Sequence, residues 1–274
     1  MTRNNVGGGR RPTERAARPS ATYLYCLVQS RSAPRLARAP RGLPGMGRPR
    51  ALAAGGALWL VAADAPVARY GAVPIERGLR DLEWVSRCAV AHEAVVEHVG
   101  RSGPVVPMKL FTLFSSDARA VGHIRPRRRR LERVLARVAG CQEWGVRVSL
   151  DPARAAALAR PASRGATSRL HAGTRFLLRK RDEQAAHRRL AARARADVQR
   201  AFRELTRLAR DARRRPPLPV DGQPVALLDA AYLVPATRVT RFRTAVGQIA
   251  RRLGSRGCAV TLTGPWPPYN FVGR

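Results

Sequence analysis

The feature that most limits the folds open to this chain is a rhythm. Short β-rich apolar runs alternate with amphipathic helical stretches, and the pattern runs through the chain twice. "TYLYCLV" (22–28) and "ALWLVAA" (57–63) have strand length and composition. Between 76 and 100, Leu79, Leu82, Val85, Ala89, His92, Val96 and Val99 recur at spacings of three and four, which predicts a helix with one apolar face. "PVVPMKLFTLF" (104–114) reads as a strand that Pro107 confines to an edge or a bulge. A helix follows, capped at Ser115 or Ser116, with Asp117 in its first turn and a kink at Pro126. "EWGVRVSL" (143–150) alternates as a strand and closes the first unit, β-β-α-β-α-β.

The second pass begins at "TRFLLRKR" (174–181), after an Ala/Arg/Pro-rich linker over 151–173. A long basic helix over 182–215 carries Leu190, Ala194, Val198, Phe202, Leu205 and Leu208 as its stripe. A strand at 225–234, a helix from Pro235 to about Gly254 and a strand at 258–264 complete β-α-β-α-β. The expected architecture is α+β, each unit a small sheet covered by helices. The expected division is a basic tail (1–20), an N-terminal domain (21–150), the linker and a C-terminal domain (174–274).

The formal net charge is +34, nearly all of it from arginine, since Lys109 and Lys180 are the only lysines. Such a charge suggests nucleic acid or another acidic partner. Abundant Arg, Ala, Gly and Pro with almost no Lys equally reflects a GC-rich coding sequence. "RPRRRR" (125–130), the densest run, has no interleaved aromatic and reads as a solvated helix start. The Arg-rich N-terminus has no apolar core of a secretory signal. The apolar run at 51–63 is too short to span a bilayer.

Motifs for chemistry are missing. No glycine loop leads into Lys-Ser or Lys-Thr, and "GLPGMG" (42–47) has the wrong spacing for a phosphate cradle. No Cys-x-x-Cys or His-Glu-x-x-His spacing occurs, so no metal or cofactor is expected. No Gly-x-Ser-x-Gly elbow occurs either. His92 falls on the apolar face of its helix and reads as a core histidine.

The unusual stretch is the C-terminal "TLTGPWPPYNFVGR". Proline fixes φ and holds the residue before it extended, so Gly264 to Tyr269 reads as a stiff, polyproline-like rod after a strand. Two uses are open: its aromatics fold back over their own sheet, or they present a rigid contact to another protein. The contact candidates are Pro265, Trp266, Pro268, Tyr269 and Phe271.

Taken in order, "YLYCLV", "DLEWVSRCAVAHEAVVEHV", "GPVVPMKLFTLFSS", "EWGVRV", "AYLVPATRVTRFRTAVGQIARRL" and "LTGPWPPYNFV" resemble the gas vesicle protein family GvpL/GvpF. The resemblance runs from about Tyr23 to Val272. Its most specific pieces are Trp84 with His92–Glu93, the 104–114 strand and the terminal "LTGPWPPYNF". It implies two ferredoxin-like units and no catalytic residues. It also implies a cytoplasmic role in gas vesicle assembly, or a minor place in the vesicle, with the shell subunit and other accessory proteins as partners. The alternative expectation is a basic nucleic-acid-binding protein.

Overall fold

A computed structural model describes residues 19–151, 172–216 and 225–273. Within them the chain forms two antiparallel sheets flanked by helices, the α+β arrangement expected. In the first sheet the strands are β1 (Ser20–Gln29), β2 (Arg50–Gly55), β3 (Leu58–Pro66), β4 (Val105–Pro107) and β5 (Leu113–Phe114). Their order is β2-β3-β1-β4, with β5 also paired to β1. The second sheet contains β6 (Cys141–Leu150), β7 (Asp211–Arg214), β8 (Val225–Pro235) and β9 (Cys258–Trp266), in the order β7-β8-β6-β9.

In each sheet the second and third strands form the hairpin and the first lies between the third and fourth. In the second sheet the chain threads β6, helix α6 (Ala172–Thr206), β7, β8, helix α7 (Val239–Gly254) and β9, the ferredoxin-like split βαβ. The first sheet has that strand order, but residues 30–49 occupy the place of the first crossover helix. Leu43 of this connection is buried against Tyr25 and Tyr70, and Leu36 and Met46 pack beside it. The Tyr25 hydroxyl accepts from the Leu43 N–H (3.2 Å) and the Tyr70 hydroxyl donates to the Pro44 carbonyl (2.7 Å). Gly42 has φ +77°, and a Cβ there would come 2.0 Å from the Tyr25 hydroxyl oxygen. Only glycine lets the loop lie this close.

β1 is the spine of the first sheet, and every residue from Thr22 to Val28 is buried. One face, with Tyr23, Tyr25 and Val28, packs on Cys88, Val95, Val96 and Val99 of helix α3 (Leu82–Gly100). The other, with Leu24 and Leu27, packs on α4 (Asp117–Ile124) and α5 (Arg128–Val138) through Ala120, Ile124, Val134 and Leu135. A strand covered on both faces must be apolar on both, which is why "YLYCLV" does not alternate. In the second unit α6 and α7 cover one face. Ala194, Val198, Ala201 and Leu205 of α6 meet Phe242, Val246, Ile249 and Leu253 of α7 over Val146, Val148, Leu228 and Tyr232.

Several expectations need correction. The strand at 143–150 was counted with the first unit; it is the centre of the second sheet, paired with both β8 and β9. "TRFLLRKR" is helical, the start of α6, so β6 supplies the strand it was expected to provide. The basic helix ends at Thr206, and Asp211–Arg214 form a strand its charges disguised. The helix predicted over 76–100 starts late: its first residues belong to α2 (Ala72–Gly78), which follows the short α1 (Val67–Tyr70), and α3 begins only at Leu82, leaving Leu79 and Leu82 exposed. Residues 104–114 make two short strands on the same edge of β1 rather than one. β2 was not expected; the Gly55–Gly56 pair, both at positive φ, was its hairpin signal. Pro126 acts as predicted and sits in a 3₁₀ turn between α4 and α5. The tail, most of the 151–173 linker and the side chain of Leu190 lie outside the described residues.

The Asp81 side chain caps α3, accepting from the N–H groups of Glu83 and Trp84 at 3.0 and 3.1 Å. Asp81→Ala leaves two helix donors without this partner and is expected to cost about 1 kcal/mol, read as a lowered denaturant midpoint with unchanged slope.

Candidate functional site

The C-terminal segment departs from the expected rod. β9 runs on through Trp266, whose partner in β6 is Glu143. Gly264 has φ +115°, and a Cβ there would lie 2.8 Å from the Glu143 carbonyl oxygen. The Gly264–Pro265 bond is cis, and Tyr269–Val272 then form one helical turn, α8. The chain therefore bends back into the seam between the two sheets instead of projecting.

Each residue of the turn is held by a different element. The Tyr269 hydroxyl donates to Glu93 Oε2 on α3 (2.6 Å). The Asn270 backbone N–H donates to Glu143 Oε2 on β6 (2.9 Å), and its side-chain amide donates to Oε1 of the same carboxylate. The Asn270 carbonyl accepts from Arg213 of β7, and the Phe271 carbonyl from Arg137 of α5. The Phe271 ring is fully buried against Val138, Ala231 and Leu233, with the Arg213 guanidinium 5.2 Å from its centroid. Val272 packs with both this cluster and the α4–α5 face of the first sheet.

Polar groups accompany the seam inward. His92 Nδ1 and the Tyr23 hydroxyl are 2.7 Å apart, and Tyr25 stacks on the imidazole at 5.5 Å. Burial lowers the His92 pKa from 6.5 to about 4, against a smaller opposing effect of the Met108 backbone, so the ring is neutral near pH 7. Burial raises Glu93, while the hydrogen bond from Tyr269 works the other way. Burial also raises Glu143, opposed by both Asn270 hydrogen bonds and by Arg215 and Arg213. Tyr23 and Tyr269 are raised by burial as well, so both stay protonated, and Tyr269 donates to Glu93.

The five contact candidates therefore divide. Phe271 and Pro268 are buried and Tyr269 is half-buried with its hydroxyl engaged, because each faces the seam. Pro265 and Trp266 stay exposed, Trp266 at 44 %. They rim a groove of about 700 Å³ between the units, together with Gly100, Pro104, Gly140 and Cys141. Sequence reading found the segment but missed Glu93, Glu143, Asn270 and Arg213 as its anchors. The available signal was only that each carboxylate lies within one of the recognisable stretches, Glu93 beside His92 and Glu143 at the start of "EWGVRV". Among the described residues no cluster of three or more His, Cys, Asp or Glu could hold a metal, and no helix is long and apolar enough to cross a membrane. Arg125 and Arg127–Arg130 are exposed on the α4–α5 corner, with Arg128 paired to Glu132 (2.8 Å).

The sequence profile described as gas vesicle synthesis protein GvpL/GvpF matches residues 21–273. The chain is 31 % identical over 244 residues to gas vesicle protein L of a Streptomyces species, covering 85 % of this chain and 87 % of that one. It is 29 % identical over 212 residues to gas vesicle protein L2 of Halobacterium salinarum, covering 70 % and 73 %. The fold matches the crystal structure of GvpF from Anabaena (TM-score 0.68, 18 % identity, 93 % of this chain and 97 % of that one). It also matches GvpF from Microcystis aeruginosa (TM-score 0.65, 18 % identity, 93 % and 99 %). The stretches that carry the sequence resemblance meet at the seam: His92–Glu93, Glu143, and Tyr269 to Phe271.

Two predictions follow from this geometry. Glu143→Gln turns an amide donor toward one of the Asn270 donors and is expected to destabilise the protein by about 1–3 kcal/mol, read by urea unfolding. Between pH 6.5 and 4 an unfolded chain protonates His92 while the folded one, with a pKa of about 4, does not. The stability from neutral His92 is complete above pH 6.5 and is lost as pH falls toward 4, about 3 kcal/mol in all. The raised carboxylates act in the opposite sense, so the test is the difference between wild type and His92→Gln across pH 7 to 4. That difference should shrink as the pH falls.

Proposed function

The chain belongs to the GvpL/GvpF family of gas vesicle synthesis proteins, and from that premise we propose that it works in gas vesicle assembly by holding the hydrophobic shell subunit, alongside other accessory proteins. Its place would be the cytoplasm and the growing vesicle. A strongly apolar subunit aggregates when its surface is exposed, and transient cover by a highly charged protein keeps it available for assembly. The role asks for a binding surface and no catalytic group.

The observation that carries this reading is the division of labour in the C-terminal turn. Tyr269, Asn270 and Phe271 lock the turn into the seam, while Pro265 and Trp266 of the same turn line an open groove. An exposed tryptophan on a segment stiffened by proline and pinned from below has little entropy to lose on docking. Trp266 and Pro265 are the contacts we assign; Phe271 and Tyr269 position them. Nucleic acid is the disfavoured reading, because the densest run of exposed arginines, Arg125 and Arg127–Arg130, has no aromatic interleaved on which a base could stack.

The test is co-purification from a reconstituted gas vesicle gene cluster. Trp266→Glu should reduce the retained shell subunit by about 30-fold, the effect of losing roughly 2 kcal/mol at an aromatic anchor, while the melting temperature stays near wild type. Trp266→Phe should retain most of the binding. Equal retention by a folded Trp266→Glu protein excludes the groove as the contact.

A further inference from the structure

We propose that the outer edge of β9 is a strand-addition site for an extended, acidic segment of another protein. The inference does not depend on the gas vesicle reading, since it follows from how the four sheet edges are finished. β2 starts with Arg50, which is tied to Asp64 and Asp117 at 2.8 and 2.7 Å, and packs under α4. β4 is three residues long and ends in Pro107. β7 is four residues long and carries Asp211, Arg213 and Arg214. Short length, charge, proline and cover are the usual ways of blunting an edge.

Among the described residues β9 has none of these along its first seven residues. "CAVTLTG" contains no charge and no proline, and Ala259, Thr261 and Thr263 are exposed. Among the described residues β6 is its only partner strand. The direction of the free groups follows from the ladder. The Asp151 N–H donates to the Gly257 carbonyl (3.1 Å), and the register continues with Ser149 opposite Ala259 and Arg147 opposite Thr261. Bonded and non-bonded pairs alternate in an antiparallel ladder. Cys258, Val260 and Leu262 therefore turn their N–H and C=O groups away from β6, toward the open edge. A partner strand has three residues' worth of backbone groups to pair with.

The charge beside the edge selects the occupant. Arg147 lies directly across from Thr261 with its side chain 60 % exposed, and Arg256 stands in the turn leading into β9. Their carboxylates, Asp229 and Asp197, are buried beneath them at 8 % and 3 % side-chain exposure. The guanidinium groups are the solvent-facing part of each pair. A second copy of this chain would bring two Arg147 side chains together in a molecule of net charge +34, whereas an acidic strand is attracted to both. Backbone pairing would supply affinity, and Glu or Asp at alternate positions would supply selection.

The experiment uses the full chain and a labelled nine-residue peptide alternating Glu and Val. Binding is followed by anisotropy and by amide hydrogen exchange over residues 258–263. The peptide should bind and slow exchange at Val260 and Leu262. The same peptide with alternate backbone nitrogens methylated keeps its charge but should bind about tenfold more weakly. Thr261→Glu should weaken binding by a similar factor and Thr261→Lys should not. Exchange in the free variants shows that the strand is still formed. Equal binding of the methylated peptide, or protection elsewhere than 258–263, overturns strand addition. Tighter protection of the same amides by an oligonucleotide of equal charge overturns the assignment of the partner.

Discussion

Everything at the centre of this molecule depends on one buried carboxylate. Glu143 is 4 % exposed on the middle strand of the second sheet, and both of its oxygens accept from Asn270. A carboxylate in that position is costly without partners. It obtains them only if the chain end returns to the seam, and the return carries Tyr269 to Glu93, Phe271 to Val138 and Leu233, and two backbone carbonyls to Arg213 and Arg137. The middle and the end of the chain are tied through a single helical turn. Because these bonds share partners, losing one loosens the others, and their energies do not add.

The first sheet reaches the ferredoxin-like strand order without its first helix. Residues 30–49 fill that space with Leu36, Leu43 and Met46 and two tyrosine hydroxyl contacts. A loop can replace a helix on a sheet face when it supplies apolar side chains and its backbone groups find partners. The opposite face is covered as well, by α4 and α5, which makes β1 a doubly covered strand. That second cover also places Arg137 and Val138 beside the C-terminal turn, so the extra helices help to form the seam.

The arginines are distributed between structure and solvent. Arg147 and Arg215 converge on Asp229, Arg200 and Arg256 on Asp197, and Arg210 donates to the Arg137 and Ala139 carbonyls at the C-terminal end of α5 at 2.6 and 3.0 Å. Those pairs anchor edges of the fold, while the run at 125–130 stays on a solvated corner. Net charge therefore gives a poor guide to partner here. The exposed features that stand out are local: Trp266 at the rim of its groove and the neutral edge of β9 flanked by guanidinium groups.

By itself the sequence determined the α+β class, most of the helices, a serine cap at 115 or 116 with Asp117 in the first turn of α4, the break at Pro126 and the family. These are local signals: periodicity, capping side chains and proline geometry act within a few residues. It also marked the C-terminal segment as unusual, though not where that segment goes. Only the tertiary structure decided that β6 belongs to the second sheet, that Asp211–Arg214 is a strand, and that the terminal turn folds inward. The reason is physical. Strand pairing and the burial of Glu93 and Glu143 are settled by contacts between residues far apart in the chain, Tyr269 with Glu93 and Asn270 with Glu143. No periodicity within either segment carries that information.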